Sequence, residues 1–190
     1  MGHRRATLVR TGRRVAGLET DLAALYARAR ELYPEGFPAE ETVTLEKLYA
    51  HASYAFVAAL RAAIAAELGL PPAWMPLDLF QAYGCGAIAL HDDRFRFPGV
   101  YFVIVVVHSG RLGVVDRTGR AMRHEVGEIL LLDPYRKHAL VPEGRTAREH
   151  PYERTHGLVT DPDGQFVFLD FDVKRSLLRS RFLLAADGRK

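Results

Sequence analysis

A mainly β fold with N-terminal helices, an α+β chain, is what this sequence predicts. Three observations carry it: two stretches of helical periodicity before residue 70, six short β-rich runs after residue 76, and turn-forming residues between those runs. Many short strands punctuated in this way close into a barrel or a sandwich. A length of 190 residues suits one core. The expected organisation is a basic tail over 1–14 and one domain over 15–190, with helices in 15–70 and a β-barrel in 77–175.

The first five arginines, Arg4, Arg5, Arg10, Arg13 and Arg14, all precede the first acid at Glu19, and without them the net charge of +3 becomes slightly negative. Such an arm can touch nucleic acid or act as an organellar presequence, but with no nucleic-acid motif beside it a solvated tail is the expectation. Val15, Leu18, Leu22, Leu25, Tyr26, Ala29 and Leu32 then recur at helical spacing. This helix should end near Pro34-Glu35-Gly36. A second stripe, Leu45, Leu48, Ala52, Phe56, Ala59, Ala63 and Leu68, predicts a helix that stops at Gly69 before Pro71 and Pro72.

Strands are predicted over Leu77–Tyr83, Ile88–Leu90, Val100–Val107, Leu112–Val115, Ile129–Leu132 and Phe166–Val173. Ser109-Gly110, Thr118-Gly119 and Pro162-Asp163-Gly164 tolerate turn dihedrals, so neighbouring strands are expected to pair as hairpins. Arg145–Gly164 is polar and aperiodic and reads as a long loop, of a length that is often either a functional lid or mobile. The longest apolar run, Val100–Val107, falls far short of the roughly 18 residues of a membrane span. The single cysteine, Cys85, cannot form an internal disulfide, and no apolar signal segment is present, so a reducing cytoplasm is the expected compartment. Cys85 itself is expected to be a small core residue.

His91-Asp92-Asp93 contains His-x-Asp, and in an extended strand residues two apart share a side, so an imidazole and a carboxylate can reach one metal. His138 follows the buried run Gly127–Leu132 through a turn. Two histidines and one carboxylate can cap one face of an octahedral Fe(II) and leave three positions open. His108, His124, His150 and His156 lack ligand spacing, and solvent-facing or loop roles are expected for them. Gly84-Cys85-Gly86-Ala87-Ile88-Ala89 loosely fits a dinucleotide fingerprint, but Asp92–Pro98 cannot supply the helix that motif requires.

Tyr83-Gly84-Cys85-Gly86, then His91-x-Asp93, the apolar strand Val100–Val107 and Gly127–His138 together resemble the iron(II)- and 2-oxoglutarate-dependent dioxygenases of the prolyl-hydroxylase type. The resemblance implies a double-stranded β-helix, a jelly-roll or cupin-like barrel supported by the two helices. It also implies His91, Asp93 and His138 as catalytic iron ligands and dioxygen and 2-oxoglutarate as co-substrates. The substrate would be an organic molecule that is hydroxylated or demethylated. Tyr83 would lie near the site, in the core or bonding a co-substrate oxygen. The family anchors the far carboxylate of 2-oxoglutarate with a cation opening its last strand. Here Phe166–Val173 opens with Gly164-Gln165, so the anchor falls to Arg148, Arg145 or Arg154, and Arg148 has the family's spacing after the second histidine. Two alternatives stay open: a cupin-like metal-dependent enzyme, for which His-x-Asp replaces the usual His-x-His, and a metal- or ligand-binding barrel without turnover.

Overall fold

The structure is a computed structural model that describes residues 8–45, 53–77, 80–149 and 165–178. In chain order the elements are β1 (Leu8–Arg14), α1 (Glu19–Leu32), β2 (Thr42–Thr44), α2 (Tyr54–Leu68), β3 (Phe80–Cys85), β4 (Ile88–His91), β5 (Val100–His108), β6 (Leu112–Asp116), β7 (Glu128–Leu132), β8 (His138–Pro142), β9 (Phe166–Lys174) and α3 (Arg175–Leu178). Two antiparallel sheets form. The larger has the order β1-β7-β5-β9-β3-β2 and the smaller β4-β8-β6.

The central strands of the larger sheet are apolar on both faces, which is the pattern of a sheet covered on both sides. On one face Val103, Val105 and Val107 join Ile129, Leu131, Leu169 and Phe171 beneath Leu22, Leu25, Leu60 and Ile64 of the two long helices. On the other, Phe102, Ile104, Val106, Leu130, Leu132 and Phe166 meet Leu112, Val114 and Leu140 of the smaller sheet. The molecule is thus a β-sandwich with helices on its outer face. Among the described residues no helix is long and apolar enough to cross a membrane.

Both helices begin later than their apolar stripes. Helix α1 starts at Glu19, because Val15 is taken into the sheet region, where its N–H donates to the Gly127 carbonyl at 3.0 Å. Helix α2 starts after Ser53, whose side chain accepts from the Phe56 N–H at 3.1 Å and so satisfies one of the unpaired donors of the first turn. Leu45 is buried but follows β2 and is not helical; Leu48 and Ala52 lie outside the described residues. The helix ends at Gly69, as its sequence requires.

Three further expectations are corrected. Residues 8–14 are an edge strand rather than the end of a solvated tail. Arg10 donates two hydrogen bonds to buried Glu128, at 2.7 and 2.9 Å, and Arg14 pairs with Glu125. Those acids stand over a hundred residues away, so the charge run looked unpaired in sequence. His124 is buried rather than solvent-facing. Its Nε2 accepts from the Val114 N–H, and its Nδ1 lies 3.1 Å from Glu128. His108 stacks on Tyr26 with ring centroids 3.9 Å apart. Finally, β5 and β6 do not pair across Ser109-Gly110, because that turn crosses from one sheet to the other and β6 pairs with β8.

The glycines of Tyr83-Gly84-Cys85-Gly86 answer to packing. A Cβ on Gly84 would lie 2.3 Å from the Phe37 ring, and one on Gly86 would lie 2.9 Å from the carbonyls of Phe37 and Pro38. The segment before β2 therefore crosses β3 at backbone contact, and no phosphate loop is needed to explain the pattern. Gly84→Ala should cost about 1–3 kcal/mol through overpacking, read as a lowered urea midpoint, and Phe37→Leu in the same chain should recover part of the loss. A second outcome concerns acid. Burial would raise the Glu128 pKa, but hydrogen bonds from His124 and Arg10 outweigh it and hold the group at about 2 instead of 4.5. Its stabilisation is therefore complete above pH 4.5 and is lost as the pH falls through about 2. Glu128→Gln should lower stability at pH 7 and flatten the acid limb between those values in a pH series of thermal melts.

Candidate metal centre and cavity

Strands β4 and β8 pair so that His91 stands directly opposite His138, with ring centroids 4.4 Å apart. Directly opposed residues on antiparallel strands project to the same face, so the register alone brings the two imidazoles together. Asp93 lies in the turn that follows β4. Its N–H donates to the Pro134 carbonyl at 2.9 Å, and its own carbonyl accepts from the N–H groups of Arg96 and Phe97. The turn holding Pro134 is fixed in turn by Asp133, which takes two hydrogen bonds from Arg175 while that guanidinium lies between the rings of Tyr101 and Tyr135.

Asp93 Oδ2 lies 3.3 Å from His138 Nε2 and 3.7 Å from His91 Nε2. All three potential ligand atoms lie within 4.8 Å of one another. Neighbouring donors bonded at about 2.1 Å to an octahedral ion sit about 3.0 Å apart, so the three side chains would draw inward to seat one. The tautomers suit this. His91 Nδ1 is 2.8 Å from the Ala89 carbonyl and His138 Nδ1 is 3.0 Å from the Arg136 carbonyl. A carbonyl only accepts, so Nδ1 of each ring carries a proton, and Nε2 is the nitrogen that faces Asp93: without an ion it donates to the carboxylate, and on losing that proton it is the atom free to bind a metal.

Burial opposes charge on Asp93, yet hydrogen bonds from His138 and His91 hold its carboxyl well below the usual carboxylate range. Burial likewise disfavours charged His91, but its bonds to Asp93 and Ala89 outweigh that and raise its pKa. The carboxylate is therefore ready to bind a cation without first losing a proton. Asp92 points elsewhere: it forms a two-bond pair with Arg94 at the surface. Glu40 has a left-handed φ of 62°, and its Oε1 accepts from the Ala89 N–H, which ties the β4 backbone behind His91.

The three residues stand on the wall of a cavity of about 460 Å³ between the sheets, within the range of small-molecule sites. Phe102, Ile104, Val114, Leu140, Phe166 and Phe168 give it an apolar lining, and Cys85 also borders it as a buried residue. Tyr83 lines it as well, its hydroxyl pushed up to about 12 by burial and then by Asp170 and Asp172. The arginines are placed differently from expectation. Arg145 and Arg148 are exposed, the latter in a short 3-10 turn over Ala147–Glu149, and neither borders the cavity. Arg154 lies outside the described residues, as do His150 and His156. The cation that does line the cavity, among the described residues, is Arg96. Sequence reasoning also passed over Asp170. Its alternation with Phe166 and Phe168 along one strand was the available signal, since residues at even spacing share a face.

The sequence matches no family model and no curated protein. The fold is similar to that of EvdO2 from Micromonospora carbonacea var. aurantiaca, with 12% identity over 88% of this chain and 85% of that one and a TM-score of 0.51. EvdO2 complexed with 2-oxoglutarate aligns with 13% identity over 87% and 85% and a TM-score of 0.50. SnoN, a non-heme alpha ketoglutarate dependent epimerase from nogalamycin biosynthesis, aligns with 10% identity over 90% and 78% and a TM-score of 0.48. At such identities the likeness is one of fold.

The geometry separates candidate ligands from bystanders. His91→Ala, Asp93→Ala and His138→Ala should each reduce Co(II) or Fe(II) binding at least a hundredfold in calorimetric titration, with unchanged far-UV circular dichroism. Asp92→Ala, between His91 and Asp93 in sequence but paired outward with Arg94, should bind the ion like the parent.

Proposed function

We propose that this chain is a non-haem iron(II) enzyme that uses 2-oxoglutarate and dioxygen to oxidise a small organic substrate, with His91, Asp93 and His138 as the ligands. The observation that carries the proposal is their convergence, with both Nε2 atoms facing one ionised carboxylate, on the wall of an apolar cavity. A fold similar to that of EvdO2, which has been seen with 2-oxoglutarate, supports it. The prolyl-hydroxylase-type motif order and a double-stranded β-helix connectivity belong to the same proposal.

When bound, iron would supply three open positions for a chelating co-substrate and dioxygen. The overall conversion balances as 2-oxoglutarate, O₂ and R–H giving succinate, CO₂ and R–OH. The chain's own contribution is positional. Carbonyls of Ala89 and Arg136 fix the imidazoles, the Pro134 carbonyl fixes the Asp93 turn, and Phe102, Phe166 and Phe168 keep bulk water from the chamber.

The far carboxylate of 2-oxoglutarate needs a cation, and Arg96 takes the place first expected of Arg148. Its guanidinium borders the cavity, pairs with no described carboxylate, and could grip a carboxylate through two parallel hydrogen bonds. The Tyr83 hydroxyl remains protonated at neutral pH and supplies a further donor on the same wall.

One observation favours a second reading. Arg96 is an exposed rim residue, and the cavity contains no buried cation among the described residues. That arrangement also suits a cupin-like metal enzyme, or a binding barrel without turnover, neither of which needs the anchor. Succinate formation from 2-oxoglutarate with Fe(II), ascorbate and oxygen discriminates between the readings. The proposal expects succinate above the metal-free background, and Arg96→Ala should raise the apparent constant for 2-oxoglutarate at least tenfold, since a charge-assisted hydrogen bond is worth about 1.5–3 kcal/mol. Arg148→Ala should leave it unchanged. Iron binding without 2-oxoglutarate binding would instead support the second reading.

A further inference from the structure

The cavity holds a group that the iron reading does not use. Asp170 stands on β9 opposite Ile104 of β5 and Gln81 of β3, in the middle of the larger sheet, and its side chain borders the chamber. It is only 5% exposed, and its Oδ1 meets no hydrogen-bond partner among the described residues. Neighbouring inward positions on the same strand are Phe166 and Phe168. A carboxyl group placed this way is costly, because burial removes its hydration and the Phe171 backbone hydrogen bond leaves Oδ1 unsatisfied. Replacing it with Leu or Phe would continue the apolar face, so packing alone does not account for it.

We infer that Asp170 is a recognition residue for a basic nitrogen, and that the chamber takes an organic amine with an apolar or aromatic body. The surroundings favour a donor-bearing cation over an anion. The nearest charged neighbour on its own strand is another acid, Asp172, and the arginine among the described lining of the cavity, Arg96, stands at its exposed rim. Burial, then Asp172, raises the Asp170 pKa well above the ordinary carboxylate value, which favours the neutral acid until an opposite charge comes beside it. An entering ammonium supplies both the missing hydrogen bond and the opposite charge, and the carboxyl then ionises against it. Aromatic faces add to this. Tyr83 and Phe168 have ring centroids 5.3 Å apart, and Phe166 and Phe168 5.6 Å, which lines the approach to Asp170 with π surfaces that attract a cation.

The inference rests on reading the cavity as the substrate chamber but not on the identity of the metal. The test therefore uses the full chain freed of metal by chelation. Titration calorimetry at pH 7 would compare n-hexylamine and 2-phenylethylamine with the matched alcohols, 1-hexanol and 2-phenylethanol, and the matched acids, hexanoate and 3-phenylpropanoate. The expected result is that each amine binds at least tenfold more tightly than its alcohol, that the acids bind no better than the alcohols, and that Asp170→Asn removes the preference. The same comparison in Asp93→Asn, whose amine preference should persist, separates Asp170 from the other cavity carboxylate even if Asp170→Asn folds poorly. Equal binding of amine and alcohol would overturn the inference. So would tighter binding of the acids, since Asp170 would then act as a neutral donor to a carboxylate. Loss of iron binding or of succinate formation in the separate assay leaves this result untouched.

Discussion

The constraint on which everything else rests is that the larger sheet is covered on both faces. A strand shows its side chains alternately to either side, so every inner strand must satisfy two different neighbours at once. In β5 the odd residues Val103, Val105 and Val107 face the helices, while Phe102, Ile104 and Val106 face the second sheet. A slip of one residue would exchange the two sets and place bulky aromatics under the helices. The same alternation in β9 sends Leu169, Phe171 and Val173 outward and leaves Phe166, Phe168 and Asp170 to form the chamber wall. Packing of the scaffold thus chooses which residues are available for chemistry.

On the smaller sheet the same principle works through register. His91 and His138 meet because β4 and β8 pair at that position, and the irregularity between Ile88 and His91 turns the end of the strand toward Asp93. The support behind them is largely backbone: two carbonyls on the imidazole Nδ1 atoms and one on the Asp93 amide. Backbone groups in paired strands and turns have little freedom to move, so the donor set is held before any ion arrives. The Asp133–Arg175 pair extends this support to α3, which links the ligand turn to the end of β9.

The chamber is electrically uneven. One of its walls carries an ionised carboxylate between two imidazole rings, its rim carries Arg96, and its floor carries a buried acid whose Oδ1 meets no partner among the described residues. A ligand that satisfies all three would offer an anionic group toward the rim and a basic group toward the floor, or arrive as two molecules with one of each. Around these groups the walls are apolar, so electrostatic interactions inside are weakly screened and selective. On the proposed reading, the substrate class would be set by few residues, and those residues come from both sheets.

Much of this was legible in the sequence, where a signal was local. Periodicity located α1, α2 and most strands, and the His-x-Asp spacing marked two of the three candidate ligands, because each depends only on residues a few positions apart. Where the partner lay far along the chain, the sequence was silent. Arg10 and Arg14 read as a solvated tail because the acids they meet are on the far side of β6 in sequence; His124 read as exposed because its bonds to Glu128 and the Val114 amide exist only in the fold. Spacing after His138 pointed to Arg148, but an exposed turn carries it away from the chamber while the Asp93 turn carries Arg96 onto its edge. Local pattern determined the elements and the ligand types. Which charges face the cavity was decided by strand order and register, since those fix distances between residues that the sequence holds apart.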